Sequence, residues 1–199
     1  MVFTGEFFDE DFSEFSFSER IIEQARFTNC SFKGACLGEF RIKNSIFSRC
    51  DFRNSRFNAS QIENTALLNC DFNGANFFSA EFIDCKMVGS NFYGSSFLGA
   101  KIQRGDWSYV NFGGITLKGM DLSGIGLENA DFSNCNMQKV NLKKANLQGA
   151  IFFGAKTLGL DLRGAIIDGV DFNNFSLREV KVDFAQAAII VKSLGAIIG

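Results

Sequence analysis

The run Ala130-Asp131-Phe132-Ser133-Asn134-Cys135-Asn136-Met137-Gln138-Lys139-Val140-Asn141-Leu142-Lys143-Lys144-Ala145-Asn146-Leu147-Gln148-Gly149 places a large apolar residue at every fifth position: Phe132, Met137, Leu142 and Leu147. An α-helix repeats every 3.6 residues and a strand every two, so neither yields an unbroken period of five. Followed outward in both directions, the same phase runs from Phe7 to Val182. Of its 36 positions 35 are large and apolar, and Thr157 is the exception. Seventeen of the 25 Phe fall in this one phase.

The position two residues earlier is constrained as well. From Ala25 to Val110 it holds only Ala, Cys, Ser, Thr, Gly or Val, with Phe40 as the one departure. A large and a small residue turned inward, with three turned outward, describe one side of a square coil. Four sides make a coil of 20 residues, so residues 20 apart are expected to stack. The columns bear the mark of that second period. Phe12, Phe32, Phe52, Phe72, Phe92, Phe112, Phe132, Phe152 and Phe172 form an all-Phe column, while the column from Ile22 through Ile42, Ile62, Phe82, Ile102, Leu122, Leu142 and Leu162 to Val182 is almost wholly aliphatic. Stacking like on like along the axis keeps such columns distinct.

The chain of 199 residues has the size of one domain, and 46% of it is hydrophobic, enough for a continuous core. It contains no His and no Pro. Without His the commonest general base and metal ligand at neutral pH is missing. The N-terminal sequence has neither a basic start nor an apolar core segment, so no signal peptide is expected. No run approaches the roughly 20 apolar residues of a membrane span. Six cysteines without a secretory signal point to reduced thiols and a cytoplasmic protein.

The period stops at Val182. Asp183 is placed to cap a helix, with Gln186 three residues on as its capping-box partner. Ala187, Ile190, Val191 and Leu194 then follow helical spacing, Gly195 is a natural terminator, and an apolar Ala196-Ile197-Ile198 tail follows. Residues 1–183 are therefore read as the repeat rod and 184–199 as a capping or dimerisation helix and tail. Phe184, Ala187, Ile190, Val191 and Leu194 are the candidate dimerisation residues, since surplus apolar surface at a rod end either closes that end or pairs with its copy about a two-fold axis.

Little in the sequence favours catalysis or a cofactor. Cys30, Cys50, Cys70, Cys85 and Cys135 fall in the small inward phase, which predicts buried free thiols rather than a metal site. Ser and Asp abound, but no His is present to activate a nucleophile, and a convex rod offers no cleft to perturb a carboxylate pair. The charges are more informative. Residues 1–19 carry six acids and no base: Glu6, Asp9, Glu10, Asp11, Glu14 and Glu19. The segment 26–56 is basic, and Lys139, Lys143, Lys144 and Lys156 form a second basic cluster. Sorted by face, the all-Phe side holds seven acids against two bases, although the whole chain carries only −2. Asp51, Asp71, Asp131 and Asp171 are its candidate partner-binding residues. Acidic or amide residues just before the central position also suit a solvent-facing turn, so both readings stay open. As a negative stripe on a rod about as wide as duplex DNA, these residues would meet the cations of a DNA-binding protein. DNA itself is not an expected ligand, since the acidic side repels it. Leu68, Phe78, Ile83, Val88, Tyr93 and Leu98 fall in an outward phase and form an apolar belt around the middle, a second candidate contact.

Stretches such as Ala130-Asp131-Phe132-Ser133-Asn134 and Ala145-Asn146-Leu147-Gln148-Gly149 resemble the pentapeptide-repeat pattern of small, Asp/Asn, Leu/Phe, polar, any. The resemblance implies an all-β fold: a right-handed quadrilateral β-helix of about nine coils, with the short C-terminal helix added. Nine coils at roughly 4.8 Å give a rod of about 43 Å. The segment from Val180 to Ala187, continuing through Ser193-Leu194-Gly195 to Gly199, resembles the end of the topoisomerase-protecting Qnr and MfpA group. That resemblance implies two rods joined end to end, about 86 Å, comparable to some 25 base pairs at roughly 3.4 Å each. It also implies a DNA mimic, not an enzyme, that binds DNA gyrase or topoisomerase IV and guards it against quinolones or a natural gyrase poison. Plasmid-type Qnr proteins carry loops that interrupt the rod. Here the register is unbroken, as in MfpA and loopless Qnr proteins. The alternative is a scaffold protein that binds another partner through the apolar belt.

Overall fold

The structure, a computed structural model, describes residues 2–15 and 21–197. Phe17 of the repeat, Glu19 of the acidic run and Ile198 of the tail lie outside the described residues. Eight strands are present: β1 (Val2–Phe8), β2 (Ile21–Thr28), β3 (Arg41–Lys43), β4 (Ile46–Ser48), β5 (Gln61–Glu63), β6 (Ala66–Leu68), β7 (Glu81–Lys86) and β8 (Lys101–Asp106). They pair only in parallel, and from Gly5 onward the pairing residues stand 20 apart, as in Ile22 with Ile42, Ile42 with Ile62 and Ile62 with Phe82; Val2 and Phe3 pair 19 away, with a register shift before Gly5. Single bridges extend the same register beyond the strands, from Asp11 through Ser31, Asp51, Asp71, Asn91, Asn111 and Asp131 to Ile151. The expected four-sided β-solenoid is therefore the fold. Its faces are numbered here in chain order by their central columns: first Phe12–Phe32–Phe52, second Leu37–Phe57–Phe77, third Ile22–Ile42–Ile62 and fourth Phe27–Phe47–Leu67.

The central residues fill the interior. Phe32, Phe52, Phe72, Phe92, Phe112 and Phe132 are all buried. Their rings stack face to face at 4.8–4.9 Å from Phe32 to Phe92, which is the spacing of adjacent strands, so each turn of backbone delivers one ring onto the next. The stack opens to 5.3 and 5.6 Å at Phe92–Phe112 and Phe112–Phe132. Trp107, the single Trp, enters from the fourth face at that level and stacks on both Phe92 and Phe112. The small inward position before it is Gly105, where a Cβ would collide with the backbone of Cys85. The largest core residue is thus paired with the smallest neighbour.

A second five-residue rule appears in the backbone. The residue two after each central position has positive φ over most of the rod, from Asp9 to Gly169. Where the amide three residues after the central position returns to its carbonyl, as from Ala35 to Phe32 at 3.0 Å, this makes a type II turn. Gly and Asn recur there because they tolerate the left-handed region. The third and fourth faces are extended over the N-terminal half, and the last strand ends at Asp106. On those extended sides hydroxyls from the next coil take over from turn bonds. Ser45 accepts the Ala25 amide at 3.2 Å, Thr65 that of Ser45 at 3.4 Å, and Ser90 that of Cys70 at 3.0 Å.

Two core positions need comment. Thr157, the polar exception, is buried, and its hydroxyl donates to the Ser176 carbonyl at 2.6 Å, so its polarity is satisfied. Leu177, expected inside, is 39% exposed. At this end no further coil covers it, and Phe175 turns inward instead, edge-on to Phe152 and Phe172.

The helix α1 (Phe184–Ser193) closes the rod, with Asp183 and Gln186 forming the expected capping box. Gln186 is buried, and its amide donates to the carbonyls of Leu162 and, at 2.8 Å, Ala165. The Leu162 carbonyl also accepts the Ala165 amide at 2.8 Å, whereas the Ala165 carbonyl stands where the next coil would donate, as Ile166 donates to Ala145 one step earlier. The helix thus supplies the donor that another coil would have offered.

Candidate partner-binding faces

Where the residue before a central position is Asp or Asn, its side chain commonly folds back onto the turn. Asp51 accepts the amide of Arg53 at 2.9 Å, Asp71 that of Asn73 at 3.0 Å, Asp131 that of Ser133 at 2.8 Å and Asp171 that of Asn173 at 2.9 Å. Asn91, Asn111 and Asn141 do the same. One carboxylate oxygen of each Asp thus has a local structural partner, which explains why Asp and Asn alternate freely at this position. The second oxygen gives the Asp residues their charge on the outside.

The four candidate carboxylates fall into two pairs. Asp51 is gripped by the Arg53 guanidinium at 2.5 Å, and this bond first of all holds its carboxyl below the usual range. The same guanidinium reaches Asp71 at 3.8 Å, and Asn91 donates to Asp71 at 3.0 Å. The Asp51–Asp71 pair is therefore partly neutralised within the chain by a shared Arg53. The Asp131–Asp171 pair is not, because no Lys or Arg makes an ion pair with either residue among the described residues. Residues 125–134, 145–154 and 165–174 of the fourth and first faces hold Glu128, Asp131, Asp168 and Asp171 and no cation. Beside them Tyr109, Ile151 and Phe153 are exposed. The first face therefore presents bare carboxylates with aromatic and aliphatic surface between them.

The belt residues divide similarly. Phe78, Tyr93 and Leu98 are exposed, Leu98 most at 70%, whereas Leu68, Ile83 and Val88 are half-buried. On α1, Phe184 is 98% exposed, Val191 and Leu194 are exposed and Ala187 is half-buried. Ile190 is turned inward and buried against the last coil, so it anchors the helix to its own rod.

The family model for pentapeptide repeats matches eight copies in this chain, over residues 55–94, 75–106 and 111–149. Over these residues the chain carries pentapeptide repeats of that family. Among solved structures it is similar to full-length QnrB1, a plasmid-mediated fluoroquinolone resistance protein, with 22% identity, a TM-score of 0.74, and 98% of this chain and 100% of that one covered. A trypsin-treated variant of QnrB1 gives 23% identity and 0.74, covering 98% and 97%. No curated protein matches the chain by sequence. At these identities the likeness concerns the fold.

Elsewhere on the pentapeptide-repeat rod, ion pairs climb from coil to coil. Arg104 holds Asp84 at 2.5 Å, Lys101 holds Glu81 at 2.7 Å and Lys43 holds Glu63 at 2.8 Å, each across a 20-residue step. Asp161 is almost buried and held bidentately by Arg163, with Lys143 at 3.5 Å; the Arg163 bonds bring its carboxyl down to about 2. The Asp-x-Arg spacing that makes these clamps, Asp51-Phe52-Arg53 and Asp161-Leu162-Arg163, was available in the sequence. It places both side chains outside on either side of one central residue. Cys30, Cys50, Cys70, Cys85 and Cys135 are buried free thiols, as their phase predicts, and burial raises Cys85 and Cys135 to about 12. Among the described residues no group of His, Cys, Asp and Glu is placed to hold a metal ion. No helix among them is long and apolar enough to cross a membrane.

Proposed function

We propose that this protein is a cytoplasmic DNA mimic that binds DNA gyrase, or topoisomerase IV, and modulates it, protecting the enzyme against quinolones or a natural gyrase poison. It acts as a binding protein without chemistry of its own. The observation that carries this reading is the cation-free acidic stretch of the first face, with Asp131 and Asp171 two coils apart on the outside of the rod. Carboxylates held at fixed intervals along such a rod meet Lys and Arg that otherwise take phosphates. The likeness in fold to QnrB1, a fluoroquinolone resistance protein, supports the same reading. Asp131 and Asp171 carry the larger share, because Arg53 already occupies Asp51 and Asp71. Two rods join through the exposed side of α1, where Phe184, Val191 and Leu194 offer the apolar surface, Ala187 lies beside them and Ile190 holds the helix in place.

The test is a supercoiling assay with purified DNA gyrase, with and without ciprofloxacin. The wild-type protein is expected to inhibit the enzyme or rescue it from the drug. Asp131→Lys with Asp171→Lys should reduce that effect at least tenfold while the circular dichroism spectrum stays unchanged. Neither inhibition nor rescue over a wide concentration range would instead favour a scaffold protein. Exposed Phe78, Tyr93 and Leu98 support that second reading, with contact made through the belt.

A further inference from the structure

The corner opposite the bare acidic stretch has the reverse charge. Over the last coils the second and third faces carry Lys139, Lys144, Lys156, Arg163, Arg178 and Lys181, together with Lys118 and Lys143. The fourth and first faces at the same height carry only acids. The lower half of the rod is therefore dipolar across its section, a feature hidden by a net charge of −2.

Most of the acids on the basic corner are already engaged. Asp161 is held by Arg163 and Lys143. Asp121 accepts from Ser123 and Asn141, and Asp183 is taken up by the helix cap and the Gly164 amide. By contrast, Lys139, Lys144, Lys156, Arg178 and Lys181 have no carboxylate within ion-pair distance among the described residues.

Two of these cations have a prepared seat. Lys139 and Lys144 stand at equivalent positions on adjacent sides of one coil. In the next coil the residues beside them are Gly159 and Gly164, and a Cβ at either would lie 3.3 Å from the Lys Cγ. The glycines thus leave both lysine stems uncrowded against the next coil.

The geometry points to this corner as a docking surface for an acidic peptide segment of a protein partner. Its size favours a peptide over a duplex. From Lys118 to Lys181 is three coil steps, about 15 Å, the length of four or five extended residues. One turn of duplex DNA is about 34 Å, and a duplex lying along the rod would outrun the cations. Lys and Arg stepping at the strand spacing suit carboxylates that also repeat along an extended chain.

The experiment is fluorescence anisotropy of the full chain with a labelled octaglutamate peptide, and in parallel with a labelled 20-base-pair duplex. The peptide is expected to bind at 20 mM salt and to weaken at least tenfold at 200 mM. Lys139→Glu with Lys144→Glu should weaken it at least tenfold further, with the thermal melt of the variant confirming its fold. Asp131→Lys, on the opposite corner, should not weaken it. The inference is overturned if the peptide fails to bind at millimolar concentration, or if the double variant binds as well as wild type. Tighter binding of the duplex, also lost in the double variant, would overturn it by assigning the corner to nucleic acid. None of these outcomes depends on gyrase.

Discussion

Gly164 and Asp183 are joined across the last step of the rod: the glycine amide donates to one carboxylate oxygen at 2.8 Å, while the other oxygen accepts the Gln186 amide at 3.0 Å. One side chain thus caps the helix and ties it to the coil below. These backbone bonds, Gln186 first and Gly164 second, hold the Asp183 carboxyl below its ordinary 3.8. Because the folded value lies below the unfolded one, its contribution is complete at neutral pH. It is lost as the pH falls from about 4 through the folded value. Asp183→Asn keeps one acceptor and loses the charge. Thermal melts at pH 7 and pH 3 should show a lower Tm for the variant at pH 7 and a smaller gap from wild type at pH 3. An equal gap at both values would mean that the charge contributes nothing.

Gln186 closes the rod from inside. Replacing it with Ala removes the donor to the Ala165 carbonyl, which is left without a partner, and the second donor to the Leu162 carbonyl, which keeps the Ala165 amide at 2.8 Å. The expected loss is about 1–3 kcal/mol in urea unfolding. Replacement by Leu should cost as much, because filling the space restores no donor.

Arg53 is predicted to mask the acidic face. Arg53→Ala frees Asp51 and Asp71, and at low salt it should tighten binding to gyrase if the proposed function holds. Exposed ion pairs are worth up to about 1 kcal/mol, so roughly a two- to fivefold gain is expected, shrinking in high salt. A loss of affinity would mean that the guanidinium itself contacts the partner.

Gly105 and Trp107 offer a check on the core. Gly105→Ala drives a methyl into the Cys85 backbone at a φ of +113°, at a cost of about 1–3 kcal/mol. Emission from Trp107, the single Trp, should report the disturbance by moving to the red. The Trp107 indole N–H is buried without a hydrogen-bond partner. Trp107→Phe is therefore expected to cost less than its lost volume suggests, since it also removes an unpaired donor.

The cysteines should divide cleanly under a thiol reagent. In the folded protein Cys36, half-buried on the outside, is expected to react within minutes. The five inward thiols should react only when the chain is unfolded in denaturant. Rapid labelling of more than one thiol would contradict the packing of the Cys30–Cys50–Cys70 column.

The period of five and the columns of 20 were legible because each core position meets the same environment in every coil, so selection for packing writes the same residue class repeatedly. The helix was legible for a different reason. Asp183 and Gln186 satisfy a local rule whose spacing does not depend on the rest of the fold. Less legible was what the outward residues do to one another. Asp51 and Asp131 occupy equivalent positions in the repeat, yet one faces Arg53 and the other Ser133, so charge counted along a face overstates what remains available. Ile190 reads as part of an exposed helix face until the end of the rod is there to receive it. Leu177 keeps the period perfectly but lacks the coil that would cover it. At a terminus, repeat logic loses its next neighbour.

The 20-residue step separates two kinds of insertion that both keep the period of five. Adding one full coil above Asp131 lengthens the rod and leaves every face in its place. Adding a single five-residue unit at the same point keeps large and small residues at the inward positions, though Phe132 would then lie over Leu117 instead of Phe112. It would, however, turn everything below by a quarter revolution, carrying Asp131 and Asp171 round to the neighbouring side, out of line with Asp51 and Asp71. In a rod of this kind the inward pattern counts in fives and recognition in twenties, and a gene that gained or lost one pentapeptide would keep the pattern while misdirecting what the outer faces present.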